Sequence, residues 1–325
     1  MKMNLFYASE NDLDFDIPTR FSHYTYTNII GKGTYGIVVE AFDQLKKIKV
    51  AAKIIPRRIL QDTGILESVE QELRIGQKLN HPNLVKYLDI VYERDFVIIV
   101  MELYRRGDLM TFVSDNGKIS VSMVKKVIYQ LLCATQYLHS KNISHRDIKL
   151  ENILLDDQMN AHLDDYGCCR EDSSPKVCMP CGTIIYMAPE SFSPNYGDVK
   201  KVDIWAIGIV LYILITGRFP WKNVDTKESI IKQISDDVLK LPSEMSQMIG
   251  DVFESCVQKK PENRPSADKL LEFKWFDNKC LVKKSQNILS STHTATFLTM
   301  KEHSSLKKIS PVLVRPNVRS VLSFY

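Results

Sequence analysis

Residues His145 to Asn152 read HRDIKLEN and set an acid, a lysine and an amide on one short stretch, with a further acid close behind in Asp165-Tyr166-Gly167. The set suits phosphoryl transfer, which asks mainly for positioning and for neutralisation of charge. Asp147 can accept a substrate hydroxyl's proton and orient it, and Lys149 can offset charge on the phosphoryl group. Asn152 and Asp165 are hard oxygen ligands suited to Mg2+. Upstream, Gly31-Lys32-Gly33-Thr34-Tyr35-Gly36 lies between two strand-like runs. A dinucleotide-binding fingerprint of the same spacing opens a helix, whereas glycines in a hairpin can lay their backbone amides over phosphates. Lys53 follows inside the strand-like run KVAAKII. An inward-facing charge there needs a partner, and the next helical interval offers Glu67, Glu70 and Glu72. Any one of these motifs alone fits an ordinary polar loop or turn; their order along the chain sets them apart.

Two kinds of element position them. From Tyr24 to about Met101 the chain alternates or carries short β-branched runs (TYTNII, GIVVEAF, KVAAKII, NLVKYLDIV, DFVIIVME), which predicts an antiparallel sheet. One interval, ILESVEQELRIGQKL, has Ile65, Leu66, Val69, Leu73 and Leu79 near the 3.6 period and predicts a helix. After Gly107 the pattern turns helical in VSMVKKVIYQLLCATQYLHS, VDIWAIGIVLYILIT and SEMSQMIGDVFESCV. The fold class is therefore α+β, a small sheet-rich lobe followed by a larger helical one. The expected divisions are an acidic extension over 1–23, a first lobe over 24–104, a second over 105–276, and a basic Ser/Thr-rich tail over 277–325 expected to be mobile.

Composition narrows the function classes. The 325 residues and 44% hydrophobic content allow sizeable cores. A net charge of +4 calls for neither nucleic acid nor an anionic membrane. The tail from Asn278 holds eight Lys and Arg against Glu302 alone, a net +7 that leaves the rest at −3. The start shows no signal or transit pattern. The longest apolar run, from Ile204, is about a dozen residues where a span needs ~20, so no membrane span is expected. Seven cysteines, odd in number and clustered, do not resemble a secreted disulfide framework and favour a reducing, cytoplasmic setting.

With these motifs in order, the chain resembles the eukaryotic protein kinases from Tyr24 to Phe276. The resemblance implies a bilobal fold with ATP and Mg2+ in the cleft and protein substrates bearing Ser or Thr. It makes Lys53 the lysine on the α- and β-phosphates, Glu72 its helical partner, Asp147 the catalytic aspartate, and Lys149 a mark of the serine/threonine class. Thr183 would hydrogen-bond near Asp147 and Lys149. Ala188-Pro189-Glu190 would close the activation segment that begins at Asp165. Glu190 would pair with Arg264, and Asp203 would brace the catalytic loop. Met101 would be the gatekeeper, with the Glu102 carbonyl and Tyr104 amide at the adenine edge and Val38, Ala51 and Leu154 around the ring. CGTIIYMAPE, LNHPNLVKYLDI and GRFPW resemble the calcium/calmodulin-dependent and AMP-activated group. In that group Asp108 and Glu151 stand where basophilic relatives meet an upstream arginine; Asp108 can instead bind ribose, and Glu151 only solvent. Ile213 stands where some relatives place a further acid, so one basic preference, three residues before the target, is expected. A nucleotide-binding scaffold on the same fold is the alternative function.

Three departures from the family pattern fall in one place. Tyr166 replaces the usual Phe, Gly76 replaces a large apolar residue one turn after Glu72, and Tyr87 replaces Leu on the adjacent strand. Either the two tyrosines fill the volume vacated at Gly76, or the glycine loosens its helix. The activation segment raises two further expectations. Met179 stands where relatives carry a phosphorylated threonine, so Ser173 or Ser174, acted on by an upstream kinase, would supply phosphate to Arg146, or none is needed. Its cysteines admit a four-thiolate zinc site, a Cys178–Cys181 disulfide, or oxidation of Cys169. In the tail, Lys307 and Lys308 precede Ser310 as in a substrate or inhibitory segment.

Overall fold

Strands β1 (Arg20–Phe21), β2 (Tyr24–Lys32), β3 (Ile37–Asp43), β4 (Ile48–Pro56), β5 (Tyr87–Tyr92) and β6 (Phe96–Met101) form one sheet in the order β1-β2-β3-β4-β6-β5. Every neighbouring pair is antiparallel. This computed structural model describes residues 15–33, 35–117, 119–171, 181–193, 198–222, 226–277 and the strand 323–324. Side chains alternate across a strand, and β4 shows what that decides. Val50, Ala52 and Ile54 enter one cluster with Phe21, Val39 and Ile98. Ala51 and Ile55 enter the other, with Val69, Ile99 and Met101. Lys53 shares the second face by the same period of two.

Helix α1 (Thr63–Gly76) covers that second face, capped by Asp62, whose carboxylate accepts from the Gly64 and Ile65 amides at 2.8 and 3.1 Å. Its buried stripe is Ile65, Val69, Glu72, Ile75 and Gly76, while Glu67 and Glu70 are exposed. The second lobe holds α2 (Leu109–Asn116), α3 (Val121–Ser140), α4 (Lys200–Thr216), α5 (Lys227–Asp236), α6 (Gln247–Cys256) and α7 (Ala267–Leu271). Helix α4 is buried nearly all round, as the run from Ile204 requires. Among the described residues no helix is long and apolar enough to cross a membrane.

Short strand pairs organise the loops of the second lobe. They are β7 (Ile143–Ser144), β8 (Ile153–Leu155), β9 (Ala161–Leu163), β10 (Arg170–Glu171), β11 (Gly182–Thr183) and β12 (Ser323–Phe324), paired β7 with β10, β8 with β9, and β11 with β12. The last pair involves the tail: the backbone at Ser323–Phe324 lies antiparallel on Gly182–Thr183. Ser173, Ser174, Cys178, Met179, Lys307, Lys308 and Ser310 lie outside the described residues, as does Thr34.

The cysteine expectations need correction. Cys181 is bonded to Cys168, not to Cys178, and the bridge spans 13 positions with Cα atoms 5.9 Å apart. Sequence proximity suggested the C-x-x-C pair, but the fold brings Cys168 and Cys181 together. Two of the four thiolates of the zinc alternative are thereby used. Cys169 is fully buried and its thiol is pushed well above the ordinary value, first by that burial, which makes it a poor thiolate rather than an oxidation site.

Candidate active site

The loop after β7 is held from below by Asp203 in the first turn of α4. Its two oxygens accept from the His145 amide at 2.9 Å and the Arg146 amide at 2.7 Å, and His139 Nε2 contacts it at 2.8 Å. Arg146 sits at φ 69°, a left-handed conformation that side chains resist. The Asp203 bonds on either side of that peptide hold the turn that projects Asp147.

Asp147 is 3% exposed. Its Oδ2 accepts from Lys149 Nζ at 2.6 Å and from Asn152 Nδ2 at 3.1 Å, and its Oδ1 from the Thr183 amide at 2.9 Å. Burial pushes this carboxyl up, but Lys149, His145 and the Thr183 amide outweigh it and hold it below the usual carboxylate value. It is therefore an ionised acceptor, suited to take a hydrogen bond from a substrate hydroxyl. Lys149 Nζ also donates to Thr183 Oγ1 at 3.0 Å. The close seating of Thr183 depends on its neighbour: Gly182 lies at φ 104°, and a β-carbon there would fall 2.5 Å from the Arg146 carbonyl oxygen.

The β8–β9 hairpin places the oxygen ligands. Ile153 pairs with Leu163, and the Asp164 amide donates to the Asn152 carbonyl at 2.8 Å, so Asn152 and the DYG turn start from adjacent backbone. Asn152 Nδ2 also donates to the Asp147 carbonyl at 2.9 Å, which leaves its side-chain oxygen to act as ligand. Asp165 is left-handed at φ 66°, and its Oδ1 accepts from Gly167 N at 3.3 Å. An amide oxygen beside a carboxylate fits Mg2+ completed by phosphate oxygens and water. The sequence reading missed Asp164, a second acid here, although the doubled Asp164-Asp165 was its signal. Burial pushes its carboxyl up to about 7, against the pull of the Asp165 amide and of Lys53.

On the sheet side, Lys53 Nζ donates to both oxygens of Glu72, at 2.7 and 2.9 Å, and both residues are buried. Burial pulls the ammonium down, yet Glu72 and then Asp165 keep it raised and charged. Met101 ends β6 in the core, and the Glu102 amide donates to the Lys86 carbonyl at 3.2 Å. Val38, Leu103, Tyr104 and Leu154 pack on the cluster that contains Ala51 and Met101, so the expected adenine walls share one apolar face. The glycine turn is closed by Gly33 N donating to Gly36 O at 2.8 Å. Gly31 and Lys32 end β2, and the Tyr35 side chain is buried in the α1-facing cluster.

The two acids expected to meet an upstream arginine differ. Asp108 caps α2, its oxygens accepting from the Thr111 amide and hydroxyl at 2.8 Å each. Glu151 is exposed, with the Tyr186 hydroxyl 3.4 Å from Oε2. The end of the segment is anchored by Arg264, whose Nη1 and Nη2 donate to Glu190 at 2.5 and 2.8 Å.

The protein kinase domain family matches residues 24–276. Over 272 residues the chain is 30% identical to serine/threonine-protein kinase SIK2 of Gallus gallus, covering 83% of this chain and 34% of that one. It is 30% identical over 258 residues to the carbon catabolite-derepressing protein kinase of Candida tropicalis, covering 79% and 41%. It is 27% identical over 314 residues to CBL-interacting protein kinase 15 of Oryza sativa subsp. japonica, covering 93% and 72%. The chain spans about a third of the length of the Gallus gallus relative. Lobes, motifs and relatives agree, and the chain belongs to the protein kinase domain family.

Proposed function

We propose that this chain transfers the γ-phosphate of ATP to Ser and Thr hydroxyls of protein substrates. The observation that carries the reading is the buried Asp147–Lys149–Thr183 set. Asp147 orients the incoming hydroxyl and takes up its proton, and Lys149 offsets charge beside it. Lys53, gripped by Glu72, aligns phosphate oxygens. Asn152 and Asp165 would hold Mg2+, which when bound neutralises phosphate charge. The activity is tested by transfer from labelled ATP to a basic peptide. Tight ATP binding without transfer would establish the scaffold reading instead.

The geometry also bears on substrates. With Asp108 engaged as a helix cap, Glu151 is the acid turned outward, so a degenerate peptide library should show a preference for Arg or Lys three residues before the target. Glu151→Gln should weaken that preference more than Asp108→Asn; indifference at that position would refute it. Ile213 is buried in α4 and offers no second acidic contact.

The strand at Ser323–Phe324 favours a regulatory reading of the tail, since it occupies the backbone edge of Thr183. Truncation after Phe276 should raise peptide phosphorylation, and an unchanged rate would remove the idea.

A further inference from the structure

Glu72 and Gly76 lie four residues apart on one face of α1. Opposite them, Tyr87 of β5 lays its ring on the bare turn: a β-carbon at Gly76 would fall 2.3 Å from Cε2 and 2.5 Å from Cδ2. The volume exchange is therefore the arrangement found, and Gly76 is the last residue of its helix, where a glycine loosens little. The ring does more than fill space. Its hydroxyl donates to Glu72 Oε1 at 3.0 Å, the same oxygen that receives Lys53 Nζ at 2.7 Å. Tyr87 is itself braced by Tyr166, ring centroids 5.4 Å apart, and the Tyr166 hydroxyl donates to the Val85 carbonyl at 2.7 Å.

We infer that Tyr87 is a positioning residue for the transfer reaction: its hydroxyl fixes the Glu72 carboxylate toward Lys53 and ties α1 to the sheet, and position 76 is glycine because any side chain would expel the phenol. A leucine at 87 would pack but could not donate. A lysine alone leaves the carboxylate one partner, on one side; the phenol supplies a second donor from a rigid strand, and hydrogen bonds to charged groups are among the stronger ones. The arrangement is carried by side chains of α1, β4 and β5 themselves.

The inference rests on the kinase reading, and its test separates the two. Tyr87→Phe keeps the ring and removes one oxygen; kcat should fall about tenfold while KM for ATP stays within about twofold. In a Glu72→Gln background the same change should cost less than about twofold on the residual rate, because the bond it removes is already altered. Gly76→Leu should lose at least as much as Tyr87→Phe, and adding Tyr87→Leu to it should restore melting temperature but not kcat. Amide exchange across Thr63–Gly76 should quicken in Tyr87→Phe, a readout independent of activity. A Tyr87→Phe protein with wild-type kcat and exchange would overturn the inference, as would an equal loss in both Glu72 backgrounds. Absence of transfer by the wild type would overturn only the kinase reading, and the exchange measurement would still judge Tyr87.

Discussion

Asp147→Asn should lower single-turnover phosphoryl transfer by about 10³-fold, in the middle of the range for a positioned acid–base group. The substitution is nearly isosteric. An asparagine oxygen can still accept from the Thr183 amide, and Lys149 keeps its bond to Thr183 Oγ1. What disappears is the negative charge that the hydroxyl proton requires. Lys149 outweighs burial at this carboxylate, so neutralising it leaves a buried ammonium short of its ion partner and should also lower the melting temperature; the rate is therefore compared at a temperature where the variant is folded. The pH dependence has a definite sign. The folded carboxyl is held below its ordinary value, so the ionised form persists through neutral pH and activity falls as pH drops through that lowered value. A variant within tenfold of wild type, or one that lost activity only by unfolding, would refute the assignment.

Arg264→Ala should destabilise the fold by about 4 kcal/mol, the range for breaking a buried ion pair on one side. For a domain of this size that corresponds to roughly 10 °C in melting temperature. Arg264 is 1% exposed. Two of its five donors reach Glu190, and the other three go to the carbonyls of Lys201, Gln258 and Lys259. Its guanidinium also lies over the Trp205 ring, 5.0 Å from the centroid. Removal leaves a carboxylate without its ion partner, takes a donor from three carbonyls and opens a cavity. Arg264→Lys should recover little, because an ammonium cannot fork to both carboxylate oxygens and still reach three carbonyls. Glu190 follows Pro189 at the end of the activation segment, so activity should decline at temperatures below the global transition. Calorimetry with a parallel activity scan would show it; a shift under about 3 °C would contradict that magnitude.

Much of this was legible in residue order and period. Helix α3 follows its apolar spacing, α4 its unbroken apolar run, and the sheet the alternation of its strands. Glu72 stands out once position is added to charge: it falls with Ile65, Val69 and Gly76 on the buried stripe, whereas Glu67 and Glu70 are exposed. Asp108 was harder, because a carboxylate before a short helix reads equally as a ligand or as a cap, and α2 itself is too brief to give a clear period. The Tyr87 hydroxyl was out of reach for a different cause. Volume complementarity with Gly76 can be counted from side-chain sizes, but a bond to Glu72 depends on how the strand faces the helix. The cysteine pairing failed likewise, since closeness in sequence competes with a fold that joins distant ends.

That pairing makes the stretch from Cys168 to Cys181 a covalent ring within the chain. A single proteolytic cut between the two cysteines would therefore release nothing: the lobes' two polypeptide pieces would migrate together on a denaturing gel and separate only when reductant is added.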